Sequence, residues 1–292
     1  MAKQSFLVST DSGCDLPIEV LKEHNIYALS LKYMDQSNTY IDTMEDQDTI
    51  NFYQNMRDGV VYKTSAVNTY EAYHYLEDLL KINTHIIHIC LGGAISSTYQ
   101  NFLEAASMLH QDYPEARIAI IDSTLASVGY GMLALEVAER RDKGEDMDSV
   151  INFIEEVKHN IQPYYTVPTL TYLHRGGRVS KSSMILGNIL SIRPILRLNY
   201  VGELKVCNKC HGNRATIRQI INNIRDQVIN AKEQTLYVAH GDNLEFAKTL
   251  GETAFHELGF KDIHYSFIGS TIGAHSGPGT VTLFFHGKDR LP

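Results

Sequence analysis

The sequence is short of positive charge and of long apolar segments. Its 26 lysine and arginine residues are outnumbered by 34 aspartate and glutamate residues, which gives a formal net charge of −8. A net negative chain has no general basic field to attract nucleic acid, so we expect no nucleic-acid partner. No segment approaches the roughly 18 apolar residues that a transmembrane helix needs, so we expect no stable insertion into a membrane.

An export signal is also lacking. The first residues, MAKQSFLVSTDS, lead straight into a strand-like segment without the apolar core of a signal peptide. We therefore expect a cytoplasmic protein, in which thiols stay reduced.

Cysteine is scarce, with four residues in 292. Cys207 and Cys210 form CNKCH, which matches the short pattern of covalent haem attachment. That attachment requires an exported chain, and a zinc site would need a fourth ligand beyond these cysteines and His211. The favoured interpretation is an incidental surface pair, with no metal and no cofactor.

Common nucleotide-binding and hydrolase signatures are absent. Neither G-x-G-x-x-G nor G-x-x-x-x-G-K-[ST] follows the predicted strands, which argues against a dinucleotide or P-loop site. The residues around Ser96 read A-I-S-S-T, so the G-x-S-x-G turn of many serine hydrolases is missing too.

Apolar strands alternate with helices through the first half of the chain. Strands are predicted at 6–10, 26–33, 85–91 and 117–122, and helices at 17–24, 48–56, 70–82, 99–110, 130–144 and 147–161. Such alternation is typical of a parallel sheet covered by helices on both faces. We expect an α/β fold with a parallel α/β/α N-terminal domain over residues 1–162.

The pattern changes near Pro163. PILRLNY and ELKVC flank a Val-Gly turn and predict a hairpin, followed by helices at 214–230 and 244–258 and strands at 235–240 and 262–269. We expect a C-terminal α/β domain with a mixed sheet over residues 163–292. The apolar segment 183–192 is predicted to be helical; core packing is its favoured role, and a slot for a lipid tail is the alternative.

The segment IGSTIGAHSGPGT, residues 268–280, combines His275 with two serines, four glycines and a proline. Glycine lets the backbone approach a ligand, and free backbone N–H groups beside a histidine can hold an anion. The segment therefore predicts a sharp turn that binds a small anion, with a satisfied core histidine as the alternative.

Two further loops carry adjacent hydroxyl groups. Thr64 and Ser65 precede a helix that starts near Asn68, and Ser96 and Ser97 precede another helix. Helix capping is the simpler interpretation of both pairs. The positive end of the second helix also favours a carboxylate or phosphate.

Arginines cluster around HRGGR. Arg175 and Arg178 flank its two glycines, and Arg193 follows on a predicted strand. The group is either a solvated turn or a local basic surface for an anion or a partner.

In order along the chain, the motifs resemble those of the DegV family of bacterial fatty-acid-binding proteins. They are TDSGCDLP, KTS, ISSTYQ, DS-x3-S-x-G, YLHRGGRVS, LSIRPIL and HSGPG. The resemblance implies two α/β domains with a fatty acid held between them. It also implies a carrier without catalysis of its own, which presents the acyl carboxylate to a fatty acid kinase for acyl-phosphate formation in phospholipid synthesis.

The resemblance also assigns residues. It implies that Thr64, Ser96 and His275 bind the carboxylate, with Ser65 and Ser97 next to them. Ser97 replaces a family glycine, which either adds a hydroxyl donor or crowds the backbone. A protonated His275 would give a charge-assisted bond to the ligand.

The arginines are the expected docking surface for the kinase. Arg175 and Arg178 match the family's partner-facing positions, and Arg193 adds to the same positive charge. The alternative function is a serine hydrolase that uses Ser96 and His275, with Asp11 or Asp122 as the orienting acid.

Overall fold

The computed structural model describes residues 5–180 and 192–290. In the first half the strands are β1 (Leu7–Asp11), β2 (Ile26–Leu29), β3 (Lys32–Met34), β4 (Thr39–Ile41), β5 (Lys63–Ser65), β6 (His85–Cys90) and β7 (Arg117–Asp122). The helices are α1 (Ile18–Glu23), α2 (Asp46–Arg57), α3 (Thr69–Leu80), α4 (Thr98–Asp112), α5 (Val128–Asp142) and α6 (Met147–Val157).

In the second half the strands are β8 (Ile161–Thr166), β9 (Ile192–Leu198), β10 (Leu204–His211), β11 (Thr235–His240), β12 (Asp262–Phe267) and β13 (Val281–His286). The helices are α7 (Thr171–Arg175), α8 (Gly212–Gln227), α9 (Leu244–Leu258) and α10 (Ser270–Ser276). The predicted helix at 183–192 lies outside the described residues, apart from Ile192, which begins β9.

Two main sheets confirm the predicted α/β class. The first is parallel, with the order β2-β1-β6-β7, and its apolar strands are covered by helices. The second has the order β10-β9-β8-β13-β11-β12 and is mixed, because only β11 and β12 run parallel. Among the described residues, no helix combines the length and apolar character needed to cross a bilayer.

The predicted strand over 26–33 is wrong in one respect, because it is divided into β2 and β3. At the division the backbone N–H of Leu31 donates to Ser12 Oγ (3.0 Å). Beyond this point β3 leaves the parallel sheet and forms a small antiparallel sheet with β4 and β5. This small sheet carries Thr64 in β5.

The predicted helix over 147–161 is too long. The helix ends at Val157, and β8 follows with Pro163 inside it. Proline is unusual in a central strand because it lacks an N–H. Here the neighbouring β9 pairs only with Tyr165 and Thr166, so no ladder bond to β9 is needed at Pro163. The domain boundary after residue 162 stays a prediction. It would cut through β8, whereas a boundary in the turn before Ile161 would leave this strand whole.

Helix α5 lies between the two sheets and has buried residues on all sides, as expected for a core helix. At Gly129 a Cβ atom would lie 2.3 Å from the ring of Phe284 in β13. The largest hydrophobic cluster accordingly includes residues of both halves. This packing holds the two halves together, and the site lies between them.

Candidate ligand-binding site

A cavity of about 250 Å³ lies between the two halves of the molecule, and most of its surface is apolar. Its apolar wall includes Ala126 from the first half and Val167, Leu198 and Leu204 from the second. All five residues predicted to bind the ligand lie in the wall: Thr64, Ser65, Ser96, Ser97 and His275. The fold therefore brings together segments that are far apart in the sequence.

The polar part of the cavity is built around a contact between the two halves. Thr64 Oγ1 in β5 lies 2.7 Å from His275 Nε2 in α10, so the two side chains form a hydrogen bond. Thr64 is not a helix cap, because Asn68 and Glu71 form a complete capping box for α3. The simpler interpretation of the KTS motif is thus wrong, and Thr64 faces the cavity instead.

The segment around His275 differs from the predicted anion-binding turn. Residues Ser270–Ser276 form a short helix, and the turn comes after it, at Gly277 and Gly279 with φ of 82° and 83°. Both N–H groups of that turn already donate to backbone oxygens, those of Gly273 and Gly241. The polar atoms that this segment offers to a ligand are therefore on side chains.

Gly176 makes room for the imidazole of His275. A Cβ atom at Gly176 would lie 2.1 Å from His275 Nδ1, so with any other residue here the imidazole would have to shift. Nδ1 is buried and has no hydrogen-bond partner among the described residues. The first glycine of the HRGGR motif thus makes room for His275 in its present position.

The charge state of His275 differs from the prediction. Burial, and to a lesser extent the neighbouring charge of Arg178, lower the pKa of His275 to about 4. The imidazole is therefore neutral at pH 7, and the expected charge-assisted bond from a protonated His275 is not available in this state. The neutral ring can still donate one hydrogen bond.

Arg178 supplies the positive charge of the cavity. Its Nε and Nη2 donate to the carbonyl oxygen of Ile95 (3.0 and 2.7 Å), and its Nη1 donates to that of Gly176 (2.5 Å). Burial lowers the pKa of Arg178 from its usual value. Among the described residues of the cavity wall, Arg178 is the only lysine or arginine. The guanidinium thus holds the loop before Ser96 and faces the same space as His275.

The three arginines do not form one surface. Arg175 is exposed, with its guanidinium 5.6 Å from the ring centre of Tyr172. Arg193 instead donates to the carbonyl oxygen of Gly279 (3.1 Å) and lies 4.5 Å above the ring of Phe246. Kinase docking stays a prediction, and Arg175 is the member of the group whose position suits it best.

Ser96 partly fulfils the capping interpretation. Its Oγ accepts from the backbone N–H of Thr98 (3.2 Å) and donates to Thr98 Oγ1 (3.0 Å). Ser97 makes no capping bond, is exposed, and has φ of −75°. Any residue adopts this conformation without strain, so the backbone here does not require the family glycine, and Ser97 contributes to the cavity wall.

The geometry does not support a serine hydrolase. His275 contacts Thr64, while the Ser96 hydroxyl is bonded to Thr98. Burial raises the pKa of Asp11 to about 6. Its carboxylate accepts hydrogen bonds from the Tyr130 hydroxyl and from the backbone N–H of Gly13. The other candidate acid, Asp122, accepts from the N–H groups of Gly93 and Thr124. Neither acid orients His275, so the described residues contain no such triad.

Sequence reasoning missed the residues that hold α10 in place. Asp15 Oδ1 accepts from the N–H of Gly269 (2.9 Å), and Asp42 Oδ2 accepts from the N–H (3.1 Å) and Oγ1 (2.8 Å) of Thr271. Both carboxyl groups are buried, and burial raises the pKa of each. Asp15 lies in the TDSGCD motif, which could have drawn attention to it; no local pattern marks Asp42.

The CNKCH segment lies in β10, away from the cavity wall. The expected surface pair is wrong in one respect, because Cys210 is buried. Cys207 is exposed, and its thiol donates to the carbonyl oxygen of Ile195 (3.3 Å). Within residues 5–180 and 192–290 there is no group of three or more His, Cys, Asp or Glu side chains placed to hold a metal ion.

Comparison with known proteins gives a consistent result. The family model described as "Uncharacterised protein, DegV family" matches residues 5–288 of the chain. A DegV domain-containing protein of Clostridium perfringens is 34% identical over 290 residues, which cover 99% of this chain and 100% of that protein.

Two solved structures extend the comparison. DegV of Bacillus subtilis, described as a fatty acid binding protein, is 25% identical with a TM-score of 0.84, and the match covers 97% of this chain and 99% of that one. The fatty acid kinase (Fak) B3 protein of Streptococcus pneumoniae, loaded with linoleic acid, has a TM-score of 0.84 at 16% identity, again covering 97% and 99%. At 16% identity the second likeness concerns the fold alone.

Proposed function

The chain belongs to the DegV family, and on that premise we propose that it binds a long-chain fatty acid and presents the carboxylate to a partner fatty acid kinase. The observation that carries the proposal is the mostly apolar cavity between the halves, with Thr64, His275 and Arg178 grouped in its wall. The fatty acid binding described for the B. subtilis protein supports the same class of ligand.

The apolar wall accounts for affinity. A tail of about sixteen carbons would gain on the order of 10 kcal/mol from burial, at roughly 0.8 kcal/mol per CH₂, before the costs of association. The tail has no polar atoms and needs none from the wall, so tail binding depends on shape and contact area.

The polar group accounts for orientation. A buried carboxylate is costly unless it receives hydrogen bonds and a compensating charge. In the hydrogen bond between Thr64 and His275 only one partner keeps a free proton, so this pair provides one donor. The Ser96 hydroxyl provides a second when it turns away from Thr98, and the guanidinium of Arg178 provides the charge. This division of roles differs from the one in which His275 itself is the cation.

An open groove beside the polar group suits presentation to a kinase. The groove has a volume of about 690 Å³ and shares Ile95, Arg178 and Leu204 with the cavity wall. A carboxylate bound at Arg178 would lie next to this opening. In this proposal the kinase transfers a phosphoryl group to the carboxylate, while the protein carries out no chemistry and shields the tail from water.

Native mass spectrometry of the purified protein tests ligand binding directly. We expect a mass increase that corresponds to one long-chain fatty acid per chain, either as purified or after a delipidated sample is incubated with oleic acid. A chain that stays unliganded under both conditions would contradict the proposal. Acyl-phosphate formation with the fatty acid kinase of the same bacterium tests presentation, and cell fractionation tests the expected cytoplasmic location.

A further inference from the structure

Arg290 is a buried cation that joins three segments of the chain. It is only 3% exposed, and its Nη1 donates to the carbonyl oxygens of Thr124 (2.9 Å) and Asn199 (3.1 Å). Its Nη2 donates to Thr124 Oγ1 and to the carbonyl oxygen of Lys158 (3.1 Å). A planar guanidinium can satisfy several acceptors in fixed directions, which a lysine cannot.

The segments that Arg290 holds lead directly into the apolar wall of the cavity. Thr124 lies two residues before Ala126, which lines the cavity from the first half. Asn199 follows Leu198, and Leu204 begins the other strand of the same hairpin; both leucines line the cavity from the second half. Arg290 therefore ties together two parts of the cavity wall, one from each half of the molecule.

Other contacts show that the position of this junction is closely defined. The backbone N–H of Arg290 donates to the carbonyl oxygen of His159 (2.9 Å), and the His159 ring stacks on Tyr200 with centroids 3.8 Å apart. Thr124 has φ of 56°, an unusual value for a β-branched residue, and thus needs support from its surroundings. Gly202 packs against Thr124 so closely that a Cβ atom would lie 3.1 Å from its carbonyl oxygen.

We propose that Arg290 is a positioning residue that fixes the distance between the Thr124–Ala126 segment and the β9–β10 hairpin, and thereby sets which acyl chain lengths the cavity accepts. The inference rests on the proposed function, since it concerns selection among fatty acids. Arg290 touches no cavity space itself and acts through Ala126, Leu198 and Leu204. Its partners in the described chain are carbonyl and hydroxyl oxygens, so its role is to hold backbone geometry rather than to pair with an acid.

Chain-length profiles of variants test the inference. Dissociation constants are measured for the parent, Arg290→Met and Arg290→Lys, with delipidated protein and the even-numbered saturated fatty acids from lauric to arachidic acid. Arg225→Met is the matched control, because Arg225 lies on α8 in an exposed ion pair with Glu257.

We expect the parent and the control to prefer one chain length. In Arg290→Met the ratio of the dissociation constants for longer and preferred fatty acids should fall by roughly tenfold. This is the lower end of the discrimination that one methylene group gives in an apolar pocket. Arg290→Lys should show a smaller change in the same direction, and it decides the question if Arg290→Met does not fold.

A purely structural role would weaken binding of all chain lengths by the same factor, and that result would overturn the inference, as would an unchanged profile. If the parent binds none of the fatty acids, the proposed function fails and this inference fails with it. If the parent binds them and the variants keep its profile, only the inference fails.

Discussion

At the scale of single residues, the His275 imidazole makes a polar contact between the two halves at the site, beside the one from Arg178 to Ile95. Removing it in His275→Ala, or removing the hydroxyl in Ser96→Ala, takes away one hydrogen-bond donor for the carboxylate. We expect each change to accelerate fatty-acid release by about fivefold, since one such bond contributes on the order of 1 kcal/mol. Release can be followed by transfer of a fluorescent fatty acid to vesicles.

The matched control for these variants is His110→Ala, because His110 is exposed in the last turn of α4. It should release the ligand at the parent rate. Parent-like retention in both site variants would show that neither residue binds the head group.

Gly176 offers a way to displace the imidazole without deleting it. In Gly176→Ala the new methyl group would lie 2.1 Å from His275 Nδ1, so the ring must leave the position in which it bonds to Thr64. We expect a loss of retention similar to that of His275→Ala. In the double variant the two effects should not add, because both remove the same contact; additive losses would disprove the steric link.

Arg175 and Arg178 should behave differently although they are three residues apart. Arg175→Glu changes an exposed side chain, so we expect normal fatty-acid binding and impaired acyl-phosphate formation with the kinase. Arg178→Gln leaves the Ile95 and Gly176 carbonyls without their cation and should weaken binding itself by tenfold or more, as about 1.5–3 kcal/mol is typical of charged hydrogen bonds. Direct binding and coupled kinase assays on both variants distinguish the roles; equal behaviour would contradict this division.

At the scale of elements, α10 depends on carboxylates from the other half of the molecule. Asp42→Ala would leave the N–H and hydroxyl of Thr271 without their shared acceptor, which we expect to cost about 1–3 kcal/mol in the free energy of unfolding. Asp42→Asn retains an oxygen acceptor and should cost less. Denaturant unfolding at pH 7 measures both.

The same pair of variants gives a pH dependence. Burial raises the pKa of Asp42, so the folded state holds its proton more tightly than the unfolded state. Ionisation therefore destabilises the parent as the pH rises above about 4, the unfolded value. The stability of Asp42→Asn relative to the parent should rise over that range and then level off above the folded pKa; a relative stability that falls with pH would contradict the assigned direction.

Which elements the sequence could predict follows from their local signals. Strands β1, β6 and β7 and helices α3 and α4 have clear apolar periods, and their predicted positions are confirmed within a few residues. Strand β8 was missed because of Pro163, whose lack of a ladder bond is tolerated only in the context of its neighbours. Helix α10 lies where the sequence predicts a turn, because four glycines in residues 268–280 disfavour a helix in isolation.

The site was predictable to a similar degree. Thr64, Ser96 and His275 carry recognisable motifs, and the fold places them in one cavity wall. The roles of Asp42 and Arg290 could not be predicted from the sequence. Most of their hydrogen-bond partners lie more than a hundred residues away in the chain. The neutral state of His275 also depends on burial that no local pattern reveals.

At the scale of the whole molecule, the two sheets share one hydrophobic cluster through α5. Although the chain has two α/β halves, we therefore expect a single cooperative unfolding transition. Gly129→Val places a side chain against Phe284 and should destabilise both halves together, by about 1–3 kcal/mol as is typical of overpacked cores. Calorimetry and circular dichroism should show one transition at a lower Tm. Two separate transitions in the parent, or a shift confined to one of them in the variant, would show that the halves unfold independently and that the cavity between them can open without loss of either core.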